Sequence, residues 1–346
     1  MVLGPNLHIK KYTGIILTIF LIQICFHFAA HGQHAEVVAE KGEGIYRLLT
    51  RNGYPVIQYM DAFVELNKER LGPDNSLYAG RKYKLPVKTD SSPPSSSSSS
   101  SQTVNYAIFG KKYADVEIVD NQLNGAYYYL VAGHGGPDPG AVGDYGDWHL
   151  CEDEYAYDVT LRLARNLIQH GATVYLITRD PNDGIRDDSY LKPDKDEVCY
   201  PDLRIPLNQL RRLRQRTDAV NRLYQKNKGN FQRMIAIHVD SRSRGENIDV
   251  FFYHDKRSNS GKKAAEILQK TIQQKYDVHQ PGRGYMGTVS NRNLYVVRNT
   301  YPVAVYIELG NINHRRDQQR FIVTNNRQAL ANWLSEGLME DFKTNK

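Results

Sequence analysis

Three apolar runs in this chain each stop on a residue that can bind a metal or move a proton. Ala126–Ala132 runs into Gly133 and then His134, Met234-Ile235-Ala236-Ile237 stops on His238, and Ala304–Ile307 stops on Glu308. One such ending is noise; three in one stretch of chain are hard to assign to chance. An imidazole at a strand end keeps a ring nitrogen for a ligand, and the glycines around His134 permit close backbone approach. Two His and one carboxylate are a common zinc set in hydrolases, with a fourth position left for water. Such a site carries a net charge of about +1, acidifies that water and polarises a carbonyl. A separate carboxylate must then take the proton and pass it to the leaving nitrogen. Glu308 suits that role because it stands on a different strand end from the two imidazoles. The third ligand comes from Glu152 or its near competitor Glu154, in the acidic stretch just after the glycine-rich loop. Acids are common at helix starts for dipole reasons alone, so the residues by themselves leave the choice open. His149, His170, His254 and His314 read as structural or surface histidines.

These groups need a scaffold that brings strand ends together. Periodicity predicts strands at 126–132, 173–178, 234–238, 248–253 and 304–307, and helices at 154–170, 207–226, 261–275 and 317–342. Alternating strands and helices predict an α/β fold, a mostly parallel sheet flanked by helices on both faces. In such sheets ligands collect beyond the C-terminal strand ends, where His134, His238 and Glu308 would sit. Residues 180–206 show little periodicity and read as a lid, a binding loop or a disordered segment. Asp194, Asp196 and Glu197 within them are candidates to shape the groove.

The first third is organised differently. Lys10 and Lys11, the apolar run 15–30 and the small residues Ala30 and Gly32 form the pattern of a secretory signal over residues 1–32. Export to the periplasm or cell envelope is expected, with no membrane span remaining after cleavage. Residues 34–87 read as strand, helix, helix, strand. Residues 88–105, rich in Ser and Pro, read as a flexible linker, which leaves 106–346 as the larger unit. The formal charge of +7 suits an anionic partner, but no arginine-rich arm, RNA-binding signature or zinc-finger spacing points to nucleic acid. Cys151 and Cys199 are free to pair or to remain thiols.

Residues 34–87 resemble a LysM module, the small α+β domain that binds wall polysaccharide. The resemblance rests on the Gly-Glu-Gly turn at 42–44, Asn67 ending the second helix, and A-G-R-K-Y-K-L-P at 79–86. The larger unit resembles type-3 N-acetylmuramoyl-L-alanine amidases, which are zinc enzymes. The carrying segments are A-G-H-G-G-P-D-P-G-A at 132–141, Glu152 opening a helix, L-R-Q-R-T-D-A-V-N at 213–221, A-I-H-V-D at 236–240 and I-E-L-G-N-I-N at 307–313. The resemblance implies Zn2+ ligands at His134, Glu152 and His238, a catalytic glutamate at Glu308, and peptidoglycan as substrate. It leaves open a protein activator. Ala236, Asp240 and Gly310-Asn311 depart from the family's usual residues; none is a proposed ligand or the glutamate, and they bear on supporting hydrogen bonds and substrate fit. Two other functions compete: a wall-binding protein with an inactive catalytic domain, and a zinc hydrolase of a different amide.

Overall fold

The computed structural model describes residues 34–41, 43–54, 56–72, 75–87 and 103–346. The targeting segment expected at 1–32 and the serine-rich run at 91–101 lie outside the described residues.

The N-terminal unit has β1 (Glu36–Val38), α1 (Ile45–Arg51), α2 (Val56–Asn67) and β2 (Lys82–Lys84), with β1 and β2 antiparallel. Leu48, Leu49, Phe63 and Tyr83 are fully buried between helices and strands. Asn67 ends α2 and ties it to β2. Its amide nitrogen donates to the Phe63 and Lys84 carbonyls, and its amide oxygen accepts from the Lys84 N–H at 2.8 Å. A buried amide with every bond made is a strong local lock.

The remainder follows in the order β3 (Thr103–Asn105), β4 (Asp115–Glu117), β5 (Ala126–Ala132), β6 (Val142–Tyr145), β7 (Trp148–Cys151), α3 (Glu152–Gln169), β8 (Thr173–Leu176) and β9 (Thr178–Arg179). Next come β10 (Val198–Cys199), β11 (Leu203–Arg204), α4 (Gln209–Lys226), β12 (Phe231–Asp240), β13 (Phe251–His254) and α5 (Asn259–His279). The chain closes with β14 (Val289–Asn291), α6 (Tyr295–Arg298), β15 (Val303–Asn311), α7 (Arg315–Ile322) and α8 (Thr324–Asn345). Six strands form the central sheet in the order β14-β13-β15-β12-β5-β8. Its pairings are parallel except β13 with β15.

Strand alternation divides the core. Leu130, Ala132, Ile235, Ile237, Val305 and Ile307 face α3, α5 and α8. Tyr129, Val131, Met234, Ala236 and Ala304 face α4 and α6. With both faces covered, the strands read as continuous apolar runs. That is why they stand out in the sequence.

Three expectations need correction. Residues 103–105, assigned to the linker by composition, pair as β3 with β4. The single helix expected at 317–342 is two, because Val323 is extended (φ −91°, ψ 112°) between α7 and α8. The segment 180–206 is pinned rather than loose. Its backbone amide at Arg186 donates to Asp158 at 2.9 Å, its carbonyl at Arg186 accepts from Arg162 at 2.7 Å, and Leu191 is fully buried. Cys199 lies in β10, and neither it nor Cys151 is in a disulfide; both are buried thiols.

Candidate active site

The three central strands β15, β12 and β5 lie side by side, so their C-terminal ends meet at one rim of the sheet. His238 near the end of β12 is the direct register partner of Glu308 in β15, and Ile237 pairs with Ala132, two residues before His134. Sequence separations of 70 to 174 residues thus collapse onto one edge.

After β5 the backbone turns sharply. His134 adopts a left-handed conformation (φ 59°), which a non-glycine residue takes only under constraint. The constraint is visible. Asp138 binds His134 Nδ1 through Oδ2 at 2.9 Å, and the same oxygen takes an ion pair from Arg212 of α4. Arg216, one turn further along α4, donates to the His134 carbonyl. Glu197 accepts from the Gly136 N–H at 2.6 Å. Space is also reserved: a Cβ at Gly133 would lie 2.4 Å from the His238 ring, and one at Gly140 would lie 2.6 Å from Glu152 Oε2.

Glu152, the first residue of α3, reaches between the two imidazoles. Its Oε2 is 3.2 Å from His134 Nε2 and its Oε1 is 2.8 Å from His238 Nδ1. The carboxylate also accepts the N–H groups of Ala141 and Val239, at 2.9 and 3.1 Å. One ligand atom from each of His134, Glu152 and His238 lies within 4.8 Å of the others. Glu154 points elsewhere, to Arg186 at 2.7 Å and the Asp194 N–H at 3.1 Å. Burial pulls the His134 pKa down, but Asp138 and Glu152 outweigh it and hold it up at about 10. Burial alone would raise the Glu152 pKa; the two imidazoles depress it instead. Each group thus favours the charged form of the other, a carboxylate held between two imidazoles.

Glu308 is 5% exposed, and its Oε2 is buried with no hydrogen-bond partner among the described residues. Burial, then the negative charges of Glu152 and Asp240, hold its proton affinity well above that of an ordinary carboxyl. The His238 ring stacks on Tyr306 with centroids 4.3 Å apart. A groove of about 190 Å3 opens over His134 and His238, walled by Leu213, Leu294, Tyr295 and Tyr306.

The other histidines are engaged separately. His149 is exposed beside Asp144, His170 binds Asp120 and His254 bonds the Asp255 carbonyl. Asp138, Arg212 and Arg216 fall in quoted motifs or beside them, but they carry no role from the sequence alone. Asp138 stands four residues after His134, a signal that became readable only once the intervening turn was known.

Fold and cluster together define an α/β protein that gathers a His-Glu-His set at the C-terminal rim of its sheet. Residues 129–340 match the family model described as N-acetylmuramoyl-L-alanine amidase, and the chain belongs to that family. Among curated relatives, the probable cell wall amidase LytH of Staphylococcus aureus is 27% identical over 225 residues, covering 63% of this chain and 59% of that protein. The chain thus matches about three-fifths of that relative's length. Among solved structures, N-acetylmuramoyl-L-alanine amidase AmiC2 of Nostoc punctiforme is 21% identical, covering 64% of this chain and 99% of its own, with a TM-score of 0.45. The Ami1 amidase of Mycobacterium smegmatis is 16% identical over 64% of this chain and 99% of its own, with a TM-score of 0.47.

Proposed function

We propose that this chain hydrolyses the amide joining the lactyl group of N-acetylmuramic acid to L-alanine in peptidoglycan, using a zinc ion held by His134, Glu152 and His238. The observation that carries this reading is the convergence of two imidazoles and one carboxylate on a point, with the buried Glu308, whose Oε2 has no partner among the described residues, on the adjacent strand. The donor set suits zinc: three protein ligands of N and O type, with room for a fourth position. Asp138 supports the fit, since a ligating imidazole ordinarily gives its other nitrogen to a carboxylate. When bound, zinc supplies a polarised carbonyl and a water acidic enough to attack near neutral pH.

The chain's own residues do the rest. Glu308 accepts the water's proton and returns it to the departing alanine nitrogen; its raised proton affinity suits both halves of that transfer. Arg216 and Asp138 keep His134 in its strained conformation, so the site is formed before substrate arrives. Tyr306 covers the His238 ring and, with Leu213 and Leu294, walls the groove against bulk water. Residues 34–87 act as a LysM-like grip on the glycan, tethered by the segment at 88–102. The targeting pattern at 1–32 delivers the protein to the envelope. Digestion of purified peptidoglycan tests the reading. It should release new alanine N-termini in step with new muramic lactyl carboxyls. Metal-loaded protein that releases neither overturns it.

A further inference from the structure

The buried side of α4 carries Arg212, Arg216, Ala219, Val220 and Leu223. At 100° per residue, Arg211, Arg214, Asp218 and Arg222 point the opposite way. With Leu203 and Arg204 of the β10–β11 hairpin they line an open recess of about 400 Å3, on the far side of the helix from the catalytic groove. The four guanidinium groups are exposed, and among the described residues none has an ion pair or a side-chain hydrogen bond. Five arginines with buried or mostly buried side chains, Arg162, Arg186, Arg233, Arg320 and Arg327, by contrast each pair with a carboxylate. Asp218 is the one acid lining the recess. Gln215, also at its wall, donates to the Arg204 carbonyl at 3.0 Å and leaves its buried Oε1 without a partner.

Apolar side chains mark the same place. Leu203, Leu207 and Leu210 are 45%, 78% and 46% exposed, and they are the only exposed leucines among the described residues. Leu203 lines the recess itself, while Leu207 just before α4 and Leu210 in its first turn stand next to it in the chain. A soluble polyanion would give the leucines nothing to bury in. A purely apolar partner would strip water from four unpaired cations. A surface that is apolar within and anionic at its face satisfies both sets of side chains. Guanidinium forks match phosphate oxygens, and leucines beside them enter the headgroup–acyl boundary.

We propose that this face of α4 and the β10–β11 hairpin dock the protein onto a membrane surface bearing anionic phosphate headgroups. No helix among the described residues is long and apolar enough to cross a membrane, so this docking is peripheral. Because Gln209, Arg212, Leu213 and Arg216 face the other way, the docked protein keeps its catalytic groove open to the space above the bilayer. The inference does not depend on amide hydrolysis, and neither outcome below bears on that reading.

The test uses the full chain with Leu207→Cys and Cys25→Ser, labelled at position 207 with an environment-sensitive fluorophore; Cys151 and Cys199 are buried and unavailable. The apolar run at 15–30 can hold the chain on any vesicle, so the local emission is the readout. Vesicles of phosphatidylcholine with phosphatidylglycerol should shift the emission to the blue, and phosphatidylcholine alone should not. Arg211→Gln, Arg214→Gln and Arg222→Gln together should weaken the anionic response on the order of a hundredfold, from three lost charges at the surface. No shift with the anionic vesicles, an equal shift with neutral ones, or an unchanged response in the triple variant overturns the proposal. So does an equal shift produced by inorganic phosphate alone, or one produced by polyglutamate at lower concentration than by vesicles, which would make the face a protein-docking surface.

Discussion

His238 and Glu308 are direct register partners on adjacent parallel strands, yet the carboxylate bonded to His238 is Glu152, from the start of α3, at 2.8 Å. Two acids therefore stand near one imidazole with different partners. Glu152 is tied down by two imidazoles and two backbone amides. The Oε2 of Glu308 is left bare. That asymmetry separates the proposed ligand from the proposed base.

Glu308→Gln should keep its metal and lose turnover by roughly a hundredfold to ten-thousandfold, the usual contribution of a general base. Its melting temperature should be unchanged or higher, because the amide removes a carboxyl whose ionised form is disfavoured by burial. Metal analysis and a digestion assay on the same preparation check both. Loss of the metal would mean that the roles of Glu308 and Glu152 are exchanged.

Glu152→Ala and Glu154→Ala should part company although the two residues are neighbours. The first should lose the metal. The second should retain it and lose about 1–3 kcal/mol of stability from the broken bond to Arg186. Metal content with a denaturant titration of each variant distinguishes them.

Asp138→Ala leaves His134 Nδ1 and Arg212 without their shared carboxylate. Metal affinity should fall about 10- to 100-fold, measurable by competition with a chelator in the absence of substrate. An unchanged affinity would show that Arg216 and the turn hold the ring unaided.

Asp158 is fully buried between Arg162 and Arg327, 2.7 Å from each. Asp158→Ala should cost about 3–5 kcal/mol, because it strands two buried cations. The melting temperature should fall on the order of 10 °C at about 2–4 °C per kcal/mol. Burial opposes the Asp158 charge, but the two guanidiniums outweigh it and lower the pKa. Its stabilisation is therefore present above the unfolded aspartate pKa and is lost as pH falls through the folded one. The stability gap between wild type and variant should therefore narrow as pH falls, in thermal melts across pH.

The sequence by itself determined the central strands β5, β12 and β15, because burial on both faces makes each a continuous apolar run that local pattern can reveal, whereas the short, largely exposed β14 gave no such pattern. It also showed that His134, His238 and Glu308 follow such apolar runs, although β12 and β15 continue to Asp240 and Asn311, past His238 and Glu308. Tertiary structure alone decided what converges. The choice of Glu152 over Glu154 depends on the rotation of α3 against the sheet, and the service of Asp138 depends on a left-handed turn at His134. The path of 180–206 depends on side chains such as Asp158 and Glu154, which bond the backbone at Arg186 and Asp194. The unpaired arginines of α4 tell the same story in reverse. Helical periodicity shows which of them point outward, but only the folded surface shows that no carboxylate comes to meet them.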